Sequence, residues 1–172
     1  VELSGLDTSS LQADISIMDV LVEAGAALAY EDDIVSVRKA PLEAFDFDLS
    51  HAPDIFPIVS VLAAFCAGTS SIAGVGRLRG KESDRAGAIV EMLTGFGVPA
   101  RIEGDILYVE GETLASRMLC GRLLRGGKFS SHHDHRMAMA LRIASIGAVS
   151  PVEIDDTACV AKSFPDFFEQ FA

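Results

Sequence analysis

The chain has 172 residues, of which 49% are hydrophobic and 23% charged, a balance typical of a globular protein rather than a disordered one. Its formal net charge of -11 and its isoelectric point near 4.6 argue against a general nucleic-acid partner or an anionic membrane surface. No apolar run is long enough to cross a bilayer without a charge, Gly or Pro, so we expect no membrane partner.

The three cysteines are widely spaced and form no CxxC pattern. Such spacing favours free thiols in a reducing compartment, and the chain opens on a polar stretch rather than on a signal peptide. We therefore expect a cytoplasmic location. Because the chain does not begin with Met, we also expect it to be a fragment of a longer protein.

Two segments of the chain copy each other. "MDVLVEAGAALAYEDDIVSV" begins at Met18, and "VEMLTGFGVPARIEGDILYV" begins at Val90, 72 positions later. In each segment the pattern predicts the end of an amphipathic helix, a Gly stop, a strand, a tight acidic turn and a second strand. Each copy is therefore predicted to be a helix that leads into a β-hairpin.

A second repeated pair predicts buried helices. "PDIFPIVSVLAAFCAGTSSIAGV" and "DHRMAMALRIASIGAVSPVEI" each indicate a helix, a Gly stop and one strand. Both helices are apolar nearly all round, which indicates burial on every side, whereas the helices of the first pair keep acidic residues on a wet face. We expect one partial domain over residues 1–172, with internal repeats at roughly 12–75 and 84–155. The tail "FPDFFEQF" predicts the start of another helix.

A basic loop, "GRLRGKESDR", concentrates four cations within an acidic chain. Equivalent helices of duplicated units point in similar directions, so we expect their N-terminal ends to gather on one side of the domain. Unpaired N–H groups at those ends, together with Lys and Arg side chains, favour a site for a ligand with more than one negative charge. The residues at these ends are Asp54, Lys81, Glu82, Arg85, Asp134, His135, Arg136 and Lys162.

Each of these features also has a plainer interpretation. A basic loop before a helix is usually a solvated surface, and Asp54 beside Pro53 is compatible with a simple N-cap. The run "SHHDHR" contains metal-ligand residue types, but adjacent loop residues rarely point at one ion. We expect His132 and His133 to face apart, and we predict no metal site.

Three motifs in order, "RLRGKESDR", "DHRMAMAL" and "AKSFPDFF", resemble the family of 5-enolpyruvylshikimate-3-phosphate synthases, the 3-phosphoshikimate 1-carboxyvinyltransferases. "LSHAPDIFPIVSVLAAFCAGTSSI" is similar to the same family, and the resemblance runs from about Leu11 to Phe171. It concerns the C-terminal part of the family's chain. It implies an α/β (α+β) domain of repeated βαββαβ units, with buried helices and the sheets outside. An N-terminal domain of the same protein would be missing here.

The resemblance implies transfer of the enolpyruvyl group of phosphoenolpyruvate to the 5-hydroxyl of shikimate 3-phosphate, a step of aromatic amino-acid biosynthesis. No cofactor and no metal are implied. By position, Glu82 resembles the donor of a proton to the methylene carbon, and Asp54 the residue that takes or orients the hydroxyl proton. Lys81 would lie beside that hydroxyl. Arg85, Arg136 and Lys162 match positions that hold phosphoenolpyruvate, and Arg77 matches a contact to the shikimate phosphate.

Two alternatives stay open at this point. A UDP-N-acetylglucosamine enolpyruvyl transferase would share the fold, although "KESDR" with "DHRMAM" favours the shikimate enzyme. A non-catalytic anion-binding module of the same fold is the other alternative. The presence of both acids and all the cations argues against it, because a scaffold has no need of them.

Overall fold

The computed structural model describes residues 1–7, 9–31, 34–80 and 83–171. Its α-helices are α1 (Ile17–Glu23), α2 (Phe56–Ala64), α3 (Arg85–Gly95), α4 (Leu114–Leu119), α5 (His135–Ser145) and α6 (Phe167–Gln170). Its strands are β1 (Glu2–Ser4), β2 (Ala27–Glu31), β3 (Ile34–Arg38), β4 (Asp46–Asp48), β5 (Gly68–Ala73), β6 (Ala100–Glu103), β7 (Ile106–Gly111), β8 (Gly127–Phe129) and β9 (Val152–Ile154).

Both predicted helix–hairpin segments form. In the first, α1 leads into the antiparallel pair β2–β3, and in the second, α3 leads into the antiparallel pair β6–β7. Each helix stops where a glycine adopts a positive φ, +81° at Gly25 and +82° at Gly97, a conformation that side chains with a Cβ adopt only at a cost. The acidic turn between β6 and β7 likewise uses Gly104.

The two predicted buried helices form the centre of the core. No residue of α2 or α5 is exposed, and the two helices pack against each other. By contrast, α1 and α3 keep exposed faces that carry Asp19, Glu23 and Glu91, as their sequences predict. The main apolar cluster joins α2 and α5 to residues from α1, α3, β5 and β7.

Each unit has one strand more than the sequence predicts. The short strands β4 and β8 precede α2 and α5, and they pair in parallel with β5 and β9, the strands that follow those helices. The short helix α4 is also unpredicted. In the described part of the chain, the sheets have the strand orders β1-β3-β2, β4-β5-β7-β6 and β8-β9. Three-residue strands are hard to predict because they are too short to show a period of two.

The start of the basic loop is fixed by the β6–β7 turn. The backbone N–H groups of Gly74 and Val75 both donate to the carbonyl oxygen of Asp105, at 3.0 and 3.1 Å. Gly74 has a φ of +102°, and a Cβ at this position would lie 2.7 Å from the backbone nitrogen of Ser50. A glycine is therefore required where the chain leaves β5 and enters the 3₁₀ helix Val75–Leu78.

The C-terminal segment packs on α5 through a second, smaller apolar cluster. Ala138 of α5 contacts Val160 and Phe167, and three further phenylalanines surround Phe167. The 3₁₀ helix Ala158–Lys162 is thereby held against α5. Within the described residues, every helix is too short or too polar to cross a membrane.

Gly111 provides a test of this packing, because a Cβ there would overlap the carbonyl oxygens of Ala63 and Cys66 at the end of α2. We expect Gly111→Ala to lower the free energy of unfolding by about 3 kcal/mol, since backbone atoms cannot move aside as a side chain can. The matched control is Gly104→Ala, where φ is +62° and no atom lies within 4 Å. It should cost about 1 kcal/mol from backbone conformation alone. Urea unfolding of the chain measures both, and equal losses would contradict the close approach of β7 to α2.

Candidate functional site

Three helix starts meet on one side of the domain. Asp54 lies in the 3₁₀ helix Pro53–Ile55, which runs directly into α2. Arg85 is the first residue of α3, after Asp84 as the N-cap. Asp134 is the N-cap of α5, and its Oδ1 accepts a hydrogen bond of 3.0 Å from the backbone nitrogen of Arg136. Helix geometry thus places two cations and two carboxylates together.

Arg85 is the centre of this arrangement. Its side chain is only 2% exposed, and its Nε donates to Asp134 Oδ2 over 2.8 Å. Its Nη1 donates to Asp54 Oδ1, also over 2.8 Å. A single guanidinium at the start of α3 therefore connects the starts of α2 and α5. Its partners Asp54 and Asp134 lie 31 and 49 residues from Arg85 in sequence.

Asp134 is fully buried. Burial by itself raises the pKa of its carboxyl, the hydrogen bond and the charge of Arg85 lower it, and the net result of all its contacts is a pKa below its ordinary value. Backbone N–H groups at the start of α5 lower this pKa as well. The hydroxyl of Ser83 adds a bond of 3.3 Å to Oδ2. The carboxylate is held from several directions.

Arg136 lies on the more open side of the cluster, with its side chain 28% exposed. Its Nη1 donates to Asp14 Oδ2 over 2.9 Å and to the backbone oxygen of Asp54 over 3.1 Å. Its Nη2 lies 3.7 Å from Asp54 Oδ2. Asp54 is consequently positioned between two guanidinium groups, one deeply buried and one partly open.

The charges of these five residues do not sum to a cationic site. Two guanidinium groups face three carboxylates, those of Asp14, Asp54 and Asp134, which leaves one net negative charge. Attraction of an anion must therefore come from further cations, or from those N–H groups of Arg136 that do not donate to Asp14 or Asp54.

Two of the remaining predicted site residues lie on elements that pack against those of the cluster. Lys162 is exposed and ends the 3₁₀ helix that packs on α5. Arg77 is exposed on the 3₁₀ helix Val75–Leu78, which lies against the one that carries Asp54. Lys81 and Glu82, the predicted hydroxyl contact and proton donor, fall outside the described residues.

The loop "SHHDHR" is strained and attached to its surroundings on two sides. His132 and His133 have φ values of +53° and +55°, in the left-handed region that residues with a Cβ rarely adopt. His132 Nε2 lies 3.2 Å from Glu91 of α3, and His133 Nδ1 lies 2.8 Å from Asp156. The hydrogen bond and charge of Asp156 raise the pKa of His133. The two side chains thus contact different carboxylates, in agreement with the expectation that they face apart.

Two residues of the cluster are not predicted as site residues from the sequence. The sequence places Asp134 at a helix start but gives it no role, although an Asp directly before a helical pattern is a recognisable N-cap signal. Asp14 was not singled out at all. It lies 122 residues before Arg136, and nothing in the local sequence indicates that these two side chains meet.

The comparisons with known proteins agree on one family. The family model described as EPSP synthase (3-phosphoshikimate 1-carboxyvinyltransferase) matches residues 1–171. A curated 3-phosphoshikimate 1-carboxyvinyltransferase of Aeropyrum pernix is 39% identical over 173 residues, which is all of this chain and 38% of the relative. One of Thermococcus kodakarensis is 41% identical over 169 residues, which is 98% of this chain and 40% of that relative. The chain thus spans about two fifths of the length of these relatives.

Solved structures show the same fold. The structure of EPSP synthase from Acinetobacter baumannii superposes with a TM-score of 0.84 at 26% identity, over 98% of this chain and 40% of that one. The enolpyruvyl transferase NikO from Streptomyces tendae has a TM-score of 0.75 at 18% identity, over 99% of this chain and 37% of its own, which is a likeness of fold alone. The predicted α/β fold of the enolpyruvyl transferases is confirmed.

Replacement of Asp134 by Asn tests the buried ion pair through its pH dependence. A carboxylate with a lowered pKa contributes stability above its unfolded pKa of about 3.9, and this stability is lost as the pH falls through the lower folded value. We expect Asp134→Asn to lower the free energy of unfolding by about 3 kcal/mol at neutral pH, because Arg85 loses its buried partner. Below pH of about 4 the difference from the unmodified chain should shrink.

Urea unfolding of both chains across this pH range measures the effect. The matched control is Glu103→Gln, which removes a carboxylate from the exposed pair with Arg101, and it should change little at any pH. A difference between Asp134→Asn and the unmodified chain that stays constant down to pH of about 2 would contradict the assignment.

Proposed function

We propose, because this chain belongs to the EPSP synthase (3-phosphoshikimate 1-carboxyvinyltransferase) family, that it is part of an enzyme that transfers an enolpyruvyl group. The donor is phosphoenolpyruvate, the acceptor is the 5-hydroxyl of shikimate 3-phosphate, and phosphate is released. The family match over residues 1–171 supports the assignment. The observation that carries it is the meeting of Asp54, Arg85 and Arg136 at three helix starts.

The proposed chemistry is an addition followed by an elimination. In the addition, the acceptor hydroxyl loses a proton as its oxygen bonds to the donor, and the methylene carbon of the donor gains a proton. In the elimination, that carbon loses a proton as the carbon–oxygen bond to phosphate breaks, which restores the double bond and releases phosphate. We assign the protonation of the methylene carbon to Glu82 as general acid. We assign Asp54 to the hydroxyl, as base or as the group that orients it, and Lys81 to a position beside it. Two carboxyl groups in different surroundings can divide these tasks. Arg85 supports Asp54 Oδ1 over 2.8 Å, which fixes where its second oxygen points.

Both substrates are phosphorylated carboxylates, so they require several cations. We assign Arg85, Arg136 and Lys162 to phosphoenolpyruvate and Arg77 to the phosphate of the acceptor, as the resemblance implies. Guanidinium forks suit bidentate contacts to carboxylate and phosphate. Since Arg85 already engages two carboxylates through Nε and Nη1, its contact to substrate would have to use its remaining donors. We also assign Arg85 a supporting role, since it holds Asp54 and Asp134 in place.

The relatives are more than twice as long as this chain, and we propose that the segments beyond it supply the other side of the active site. Catalysis by positioning requires both sides of such a cleft. We therefore expect no turnover from the 172-residue chain by itself. A chimera, in which this chain replaces the matching segment of the Aeropyrum pernix relative, restores the full length.

The chimera tests the proposed activity. We expect it to release phosphate from phosphoenolpyruvate only when shikimate 3-phosphate is present, while the 172-residue chain releases none. A cooperative thermal melt first establishes that the chimera is folded. Release with UDP-N-acetylglucosamine instead would favour the other enolpyruvyl transferase. A folded chimera that binds phosphoenolpyruvate but never releases phosphate would favour a non-catalytic module and contradict the proposal.

Variants of the chimera separate the two proposed acid–base residues. Glu82→Gln should lower the single-turnover rate about 10²- to 10⁴-fold, the usual contribution of a general acid, with little change in substrate affinity. Asp54→Asn should slow the reaction and also weaken binding of shikimate 3-phosphate, because it removes an acceptor for the hydroxyl. Glu103→Gln is the control that should leave both unchanged. A normal rate for Glu82→Gln together with a lowered melting temperature would assign Glu82 to structure instead.

A further inference from the structure

Asp14 is a residue of the cluster to which neither the sequence motifs nor the proposed chemistry gives a role. It lies in the 3₁₀ helix Ala13–Ser16, immediately before α1. Its Oδ2 accepts a hydrogen bond of 2.9 Å from Arg136 Nη1, across 122 residues of sequence. The contact therefore joins the beginning of the first unit to the N-terminal end of the second buried helix.

The hydrogen bonds of Arg136 leave one edge of its guanidinium for a ligand. Both bonds that its side chain donates to the described residues come from Nη1, one to Asp14 and one to the backbone oxygen of Asp54. Nη1 has two hydrogens, so both are used. Nη2 lies 3.7 Å from Asp54 Oδ2, beyond hydrogen-bond distance. The donors that remain are on the Nε–Nη2 edge, whose fork matches a carboxylate or a phosphate.

Arg136 and Arg85 differ in burial and in how many of their guanidinium nitrogens donate hydrogen bonds to protein groups. Arg85 gives Nε and Nη1 to two carboxylates, and its side chain is 2% exposed. Arg136 is 28% exposed. Neither nitrogen of its Nε–Nη2 edge donates a hydrogen bond to the described residues, so both can bond to one ligand group. Of these two arginines, Arg136 is the better placed to receive an anion as a bidentate partner.

We propose that Asp14 is a positioning residue for Arg136: it fixes the Nη1 side so that the Nε–Nη2 edge faces the anionic end of the donor substrate. This inference rests on the proposed function, since it takes phosphoenolpyruvate as that substrate. Asp14 itself does not touch the substrate. It acts by holding one arginine in the orientation required for binding.

Two physical arguments favour positioning over a purely stabilising role. The pair is partly open to solvent, with Asp14 43% and Arg136 28% exposed, and ion pairs of this kind contribute little to stability. A negative charge beside an anion site also opposes binding, so its presence is useful only if it supplies something else. An arginine that is already immobilised loses less side-chain entropy when a ligand binds.

The test uses the chimera and measures KM and kcat separately. Immobilising one long side chain is worth about a 2- to 12-fold change in affinity. We expect Asp14→Ala to raise KM for phosphoenolpyruvate by that factor, while kcat and KM for shikimate 3-phosphate change less. Asp14→Asn keeps an oxygen that can accept the bond from Nη1, so it should fall between Asp14→Ala and the unmodified chimera. The matched control is Asp19→Ala, which removes an exposed acid of α1 and should leave KM unchanged.

Three results would overturn the proposal. An unchanged KM in Asp14→Ala would assign Asp14 to structure alone. A lowered KM would make Asp14 a competitor of the substrate for Arg136. An equal rise in Asp19→Ala would show an effect of overall charge. Thermal melts of all variants, with assays run well below each transition, exclude loss of folding as the cause.

A second measurement keeps this test separate from the proposed function. A folded chimera without turnover would contradict the proposed function and leave Asp14 to be judged on the 172-residue chain. There, ¹⁵N NMR should show slow rotation of the Arg136 guanidinium, and Asp14→Ala should make it fast. A titration with inorganic phosphate should give an affinity about 2- to 12-fold weaker for Asp14→Ala. Unchanged guanidinium signals or an unchanged phosphate affinity would overturn the proposal.

Discussion

The rest of the site depends on one interaction, the pairing of the buried Arg85 guanidinium with the carboxylates of Asp54 and Asp134. Two bonds of 2.8 Å join the starts of α2, α3 and α5, which also pack against one another. A buried ion pair is expensive to desolvate, so it is a weak contribution to stability unless its geometry is good. Here it serves to fix the relative position of the helices whose first residues form the site.

In this arrangement, the residues that hold the site side chains in position are largely different from those that attract an anion. The central residues carry more negative than positive charge, and so they hold one another in place rather than draw in an anion. Attraction would then come from further cations, such as the exposed Lys162 and Arg77 on elements that pack against those of the cluster. Arg136 belongs to both groups, because one side of it is bound to Asp14 and Asp54 and the other keeps donors for a ligand. An acidic protein can thus bind anionic substrates at one local site.

The sequence predicts α1, α2, α3, α5 and the start of α6, together with both hairpins, because periodicity and glycine stops are local signals. It also predicts that helix starts gather on one side of the domain. It does not predict β4 and β8, which are three residues long and exist only because strands β5 and β9 lie beside them. Motifs point to Arg85, Arg136 and Asp54. They do not predict which carboxylates the two arginines contact, because those partners lie 31 to 122 residues away. The contact of Asp14 with Arg136 cannot be predicted from the sequence for that reason, because only tertiary packing brings the two side chains together.

The most direct test of Arg85 as the connecting group is a double-mutant cycle with Asp54→Asn and Asp134→Asn, read as free energies of unfolding. Either single variant leaves Arg85 one carboxylate, whereas the double variant leaves a buried charge with neither of these partners. If Arg85 connects the three helix starts, the double variant should lose more stability than the sum of the two single losses, by at least about 1 kcal/mol. Additivity within about 0.5 kcal/mol would contradict this connection, because the two carboxylates would then act independently.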